Sequence, residues 1–126
     1  TLSHHGQAPD AIDELSLIET FHVSQFSRFL GKLKDIKEPN GATLLDNTMA
    51  LLGSGMSNAN SHSNRDLPIL LAGGGFKHGE HKVYPDHDSN RVPAANLLLS
   101  ILQNSGLEID RFGSSTGALS DLESKA

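Results

Sequence analysis

There is no cysteine anywhere in the chain. That excludes disulfides, thiol nucleophiles and thiolate metal sites together, and it leaves the compartment open. Positive charge is not in excess either. The formal net charge is -5 with histidine neutral, which argues against nucleic acid or an anionic membrane as the main partner. No apolar run approaches the roughly 18 residues that would span a bilayer. The longest, Leu67–Ala72 and Ala94–Leu102, have the lengths of core elements. No signal peptide and no internal repeat is visible. The chain begins TLSHHG, without Met, so a processed product, a truncation or a fragment whose upstream export signal is missing is expected.

What is present is a chain of 126 residues, 37% hydrophobic and 20% charged. Those values suit one globular domain, or a piece of one, rather than a disordered segment. From Pro9 to about Lys37 the spacing predicts a helix. Ile12, Leu15, Ile18, Phe26, Phe29, Leu30 and Leu33 fall on one apolar face, at helical spacing. Asp13 and Glu14 sit near its positive end, and Lys32, Lys34 and Lys37 crowd the other, as the helix dipole favours. Pro39-Asn40-Gly41 stops it. His22 falls beside the apolar stripe and reads as a core histidine bonded to backbone.

Thr48–Gly53 (TMALLG) and Leu67–Ala72 (LPILLA) are short, apolar and bounded by turn residues. They read as buried strands of a parallel sheet covered on both faces. Gly73-Gly74-Gly75 reads as a tight exit turn in preference to a phosphate cradle. Phe76–Arg91 contains His78, His81 and His87 with Asp86 and Asp88. Three histidines so close invite a metal, but a polar surface loop or hairpin is the stronger expectation. Val92–Ser105 predicts a second helix with Leu97, Leu98, Ile101 and Leu102 on its apolar face, ended by Gly106. The Ser- and Gly-rich segment from Arg111 to Ala126 reads as a loosely packed tail. Helix, strand, loop, strand, loop and helix in that order make an α/β chain.

Chemistry is expected in two places. Open α/β sheets collect ligands beyond the carboxyl ends of their strands, and Gly53–Asp66 leaves the first strand at that edge. Its asparagines and serines offer donors and acceptors, and Gly53 and Gly55 permit close backbone approach; a polar surface loop is the alternative. The second place is Ser3-His4-His5-Gly6. Neutral imidazole is the commonest protein metal ligand, and zinc accepts nitrogen and oxygen without cysteine. Adjacent residues rarely bind one ion together, so one of the two histidines is better suited to orienting the other.

SHHG, ETFHVSQFSRFLGKLK, TLLDNTMALLGSGMSNANSHSNRDLPILLAGGGFKHG and DRFGSSTGALS strongly resemble the carboxyl-terminal part of a secreted bacterial domain-of-unknown-function family, number fifteen fifty-two. That family is grouped with the alkaline phosphatase–sulfatase superfamily. The resemblance covers nearly the whole chain. It implies an alkaline-phosphatase-like sandwich, with a mostly parallel sheet flanked by helices, incomplete in this chain. Ser3-His4-His5-Gly6 is similar to the superfamily's first histidine-rich segment, and SHSNRDLP to its last. The resemblance therefore places His62 where the superfamily has a metal-binding histidine, with His5 or His4 as a further ligand of the same ion. Where the superfamily has Asp-His after the strand, this chain has Gly55-Met56. Neither residue can replace a carboxylate or an imidazole on a hard or borderline cation. The superfamily's nucleophile lies upstream of the matched region, so no catalytic residue is assigned.

These implications lead to an exported protein, periplasmic or extracellular, that is a metal-dependent phosphate or sulfate ester hydrolase with a degenerate site. The cofactor would be a divalent metal such as zinc, with Asn58, Asn60 and Arg65 orienting the anion. The alternative is a non-catalytic binding protein, for a sugar, an anion or a partner, or a structural subunit of an exported assembly. Because two strands are few for an independent sheet, an upstream segment or another chain is expected to complete it.

Overall fold

The computed structural model describes residues 3–85 and 89–123. Helix α1 runs Pro9–Asp35, with proline in its first turn beside Asp10, and Lys32 and Lys34 in its last. Those residues suit the two ends of the helix dipole, and proline loses no hydrogen bond where the helix has none to offer. The chain leaves at Ile36 in extended backbone and turns through Glu38 and Gly41.

The apolar face of α1 is covered at one end only. Leu33 is its buried residue, and Leu45 N–H donates to the Leu33 carbonyl there. Farther towards the N-terminus, Ile12, Ile18 and Phe29 are exposed, as are Leu17 (72%) and Phe21 (60%) on the flank. His22 is exposed as well, its ring tilted against Phe21. This corrects the expectation of a core histidine. The helix has the predicted periodicity, but among the described residues nothing packs on the stretch that carries His22.

Strands β1 (Ala50–Gly53) and β2 (Ile69–Ala72) form a two-stranded sheet. They run antiparallel, Ala50 opposite Ala72 and Gly53 opposite Ile69. The expected parallel sheet, covered on both faces in a sandwich, is thereby corrected to a mixed α/β arrangement of two helices and an antiparallel ribbon. The connection supplies the reason. Parallel neighbours need a crossover, usually helical, and residues 54–68 are rich in Ser and Asn, which favour turns. The chain folds back instead, and Ser57 N–H bonds to the Ser63 carbonyl at 2.9 Å.

A reciprocal turn precedes β1. Asp46 Oδ2 accepts from Thr43 N–H at 2.7 Å and from Thr43 Oγ1 at 2.8 Å, while Asp46 N–H reaches Thr43 Oγ1 at 3.2 Å. The Thr43 backbone bond, then the Thr43 hydroxyl, hold the Asp46 carboxyl below the usual aspartate range. A depressed folded-state pKa contributes stability above the unfolded value, lost as pH falls through the folded one. Urea midpoints should therefore fall more steeply below about pH 4 in the native chain than in Asp46→Asn. Parallel profiles for the two proteins would remove Asp46 from the acid response.

Helix α2, Ala94–Asn104, follows Pro93 and ends at Ser105; Gly106, at φ +91°, closes it with an N–H bond to the Gln103 carbonyl. Leu99, fully buried, is the centre of a sparse core shared with Leu33, Ala50, Phe76 and Leu122. The expected loose tail is a correction too. Asn96 Oδ1 accepts Thr116 N–H at 2.8 Å, and Ser100 Oγ accepts Leu119 N–H at 2.7 Å. Ser115 is buried and takes the Phe112 N–H at 2.8 Å. A single 3₁₀ turn, Ser120–Leu122, seats Leu122 in the core. Buried polar groups on α2 thus satisfy the backbone of the segment that covers them.

In the loop after β2, His78 Nε2 donates to the Gly73 carbonyl at 2.9 Å, and His81 is exposed. Asp86, His87 and Asp88 lie outside the described residues, so the metal reading of that cluster does too. No helix among the described residues is long and apolar enough to cross a membrane.

Candidate functional site

The SHHG segment precedes the first turn of α1, and the loop 54–66 leaves β1. The fold brings them together. His4 Nε2 lies 3.0 Å from His62 Nε2, across 58 positions of sequence. The rings meet edge to face, centroids 5.2 Å apart and planes at 81°. Ser3 Oγ is 3.3 Å from His4 Nδ1. If Nδ1–H donates to that hydroxyl, Nε2 keeps its lone pair for His62 or a ligand.

Local turns aim His62. Asn58 Oδ1 accepts the N–H groups of Asn60 (2.9 Å) and Ser61 (3.2 Å), an Asx turn that reverses the chain. The Asn58 carbonyl then takes Ser63 N–H at 3.0 Å. Between them His62 adopts φ +51°, and Asp66 beyond adopts φ +50°. Left-handed backbone costs a residue with a Cβ about 1–2 kcal/mol, and such strain concentrates at functional sites.

The remaining sequence-predicted residues divide. Among the described residues the hydrogen bonds of the His5 ring go to Asn60 and to the Gln7 backbone, whereas the ring contact with His62 is made by His4. Asn60 reaches back to the Gly6 N–H. Asn58 has its side-chain oxygen engaged in the turn. Arg65 is exposed, its N–H on Ser63 Oγ at 3.3 Å. Met56 is half exposed and its N–H reaches Ser54 Oγ.

A cleft of about 240 Å³ lies beside the histidines. Its walls include His5 and Ser3 from the N-terminal segment, Leu15 and Glu19 from α1, and Met56 and Asn58 from the loop. Sequence reasoning did not place Leu15 and Glu19 there. The available signal was proximity: SHHG stands just ahead of α1, so the early turns of the helix share its surroundings.

Two imidazole nitrogens 3.0 Å apart fit one cation in part. With bonds of 2.0–2.1 Å, that separation subtends about 94° at the ion, and tetrahedral zinc would need about 3.3–3.4 Å. Reaching that spacing takes a shift of a few tenths of an ångström, and the ring that donates in the His4–His62 hydrogen bond must also carry its proton on Nδ1 instead of Nε2. Among the described residues no group of three or more His, Asp or Glu side chains is assembled to hold a metal. The fit is to two ligand positions. No family model, curated protein or solved structure matches the chain.

Proposed function

We propose that this chain is the carboxyl-terminal portion of an exported, alkaline-phosphatase-like domain and contributes a two-histidine half-site to a metal-dependent phosphate or sulfate ester hydrolase. The observation that carries the proposal is the 3.0 Å approach of His4 and His62 across 58 positions of sequence. The resemblance to the superfamily's metal-binding histidine segments supports it. So does the uncovered apolar face of α1, with Leu17, Ile18 and Phe21 exposed, because such a surface is suited to an upstream segment or another chain.

In this proposal His4 and His62 hold a divalent ion, zinc by donor chemistry. Such an ion polarises an ester oxygen and lowers the pKa of bound water. Arg65, exposed on the same loop, is suited to a bidentate contact with the anion. Asn58 is fixed by two backbone N–H groups on its Oδ1, which leaves its Nδ2 as the donor that would meet the anion.

A second reading is a binding module without catalysis. Met56 lines the cleft at the place where the superfamily carries its Asp-His pair, and a thioether is a poor ligand for zinc or magnesium. Metal content separates a metal site from a purely structural histidine pair. The purified chain is expected to retain about one divalent ion, and chelator should lower its melting temperature. His62→Ala and His62→Gly should both lose the ion. The glycine variant should be the more stable by about 1 kcal/mol, because it removes the left-handed strain. No bound ion, with melting unchanged in chelator, would overturn the half-site. Flat rates across phosphate and sulfate esters, measured with metal bound on the full-length protein that includes the upstream segment, would favour the binding module.

A further inference from the structure

Both side-chain polar atoms of Asn60 are directed at the histidine segment, and its N–H at its own turn. Its Oδ1 accepts Gly6 N–H at 3.1 Å, its Nδ2 lies 3.3 Å from His5 Nδ1, and its N–H donates to Asn58 Oδ1 at 2.9 Å. The Gln7 N–H reaches the same His5 Nδ1 at 3.1 Å. A backbone N–H can only donate, so His5 Nδ1 offers a lone pair. A neutral imidazole with its lone pair on Nδ1 carries its proton on Nε2. A metal-ligating histidine needs the reverse: a lone pair on the ligating nitrogen, with the other N–H donating to an orienting group. In this tautomer Nε2 holds a proton and Nδ1 already accepts from two donors, so His5 has no nitrogen left for an ion.

Asn60 also stands two residues before His62, and its tie to Gly6 stands two residues after His4. Gly6 and Gln7 are both left-handed, at φ +55° and +65°. That tight turn brings Gly6 N–H and the His5 ring to the Asn60 side chain, and Gln7 N–H to the His5 ring. The tie therefore sets the spacing of the imidazole pair.

We propose that Asn60 is a positioning residue for the His4–His62 pair, and that Asn60 and Gln7 together hold His5 in its Nε2–H form, as a hydrogen-bond donor lining the cleft rather than a third ligand. The positioning role rests on the half-site reading; the assignment of His5 does not.

Long-range proton–nitrogen spectra of the ¹⁵N-labelled full chain, recorded with and without zinc, test both parts. His5 should show a pyridine-type Nδ1 and a pyrrole-type Nε2 in both conditions, while the His4 and His62 resonances move on adding zinc. Calorimetric titration should show zinc affinity about 10- to 100-fold weaker in Asn60→Ala. In Asn60→Asp the Gly6 tie survives but one of the two donors to His5 is gone, so zinc affinity should recover most of that loss, while the Nε2–H form of His5, held by Gln7 N–H alone, should be less populated. A pyrrole-type His5 Nδ1 in the native chain would overturn the tautomer assignment. A folded Asn60→Ala chain, by circular dichroism, with native zinc affinity would overturn the positioning role. If the native chain takes up no zinc, the half-site fails; the zinc-free spectrum still decides His5. The nuclear Overhauser contact between the His4 and His62 rings then decides Asn60, since it should vanish in Asn60→Ala or, if that variant unfolds, persist in Asn60→Asp.

Discussion

Gly73→Ala is expected to prevent the chain from reaching its native fold, while Gly75→Ala, two residues on, is expected to cost only about 1 kcal/mol. Both glycines are left-handed, at φ +76° and +77°. The difference is their surroundings. A Cβ on Gly73 would run into the carbonyl oxygens of Thr48 and Leu45 and the Leu45 side chain, whereas a Cβ on Gly75 meets nothing within 4 Å. The Leu45 carbonyl is held in place, because it accepts the N–H groups of Thr48 and Gly74, both at 3.2 Å. Relief would require pulling the exit of β2 away from the segment that leads into β1. Far-UV circular dichroism and urea unfolding of the two variants make the comparison. Equal stability for both would mean that the Leu45–Thr48 segment yields and that the close approach is not a constraint.

Leu99→Ala is expected to destabilise by about 2–5 kcal/mol, against less than half of that for Leu98→Ala. Leu99 is fully buried and Leu98 is 40% exposed, so the adjacent residues share composition and helix propensity but not environment. The loss should be severe in proportion. Few apolar residues among those described are buried at all, and a domain's net stability is only about 5–15 kcal/mol. The cavity would also open beneath the 110–122 segment, which Asn96 and Ser100 tie to α2 from the same helix. Denaturant titration of both variants gives the two values. A Leu99 loss no larger than that of Leu98 would show that the segment collapses into the space at little cost.

The helices were legible because their signal is local. Apolar spacing, Pro9, the late lysines and Gly106 all point the same way, and α1 and α2 lie within two residues of the expected ends. Strand direction was not legible. TMALLG and LPILLA are apolar throughout, and a run without alternation does not show which way its neighbour runs. The information was in residues 54–68, whose turn-forming composition favours folding back. The 110–122 segment was misread for a related reason. Its backbone looks solvated until Asn96 and Ser100, four residues apart among the leucines of α2, accept the N–H groups of Thr116 and Leu119; that pair of polar residues was the available clue. At the site, spacing alone could not join His4 to His62. The resemblance puts His5 first and His4 second as the partner of His62, and the contact in the structure is made by His4. The role of Asn60 was invisible, since the target of an amide depends on which distant backbone comes within reach.

Helix α1 is tied near both its ends, at Leu33 and through the Gly6–Asn60 latch. Its 27 residues span about 40 Å at 1.5 Å per residue, so a tilt of about 4° about the Leu33 end moves the far end by about 3 Å. That displacement equals the whole separation of the imidazole pair. The helix is therefore a lever with a short tolerance. Anything that settles on its bare middle, at Leu17 or Phe21, and leans it by a few degrees would load the Gly6–Asn60 latch first, and would part His4 from His62 only by breaking it.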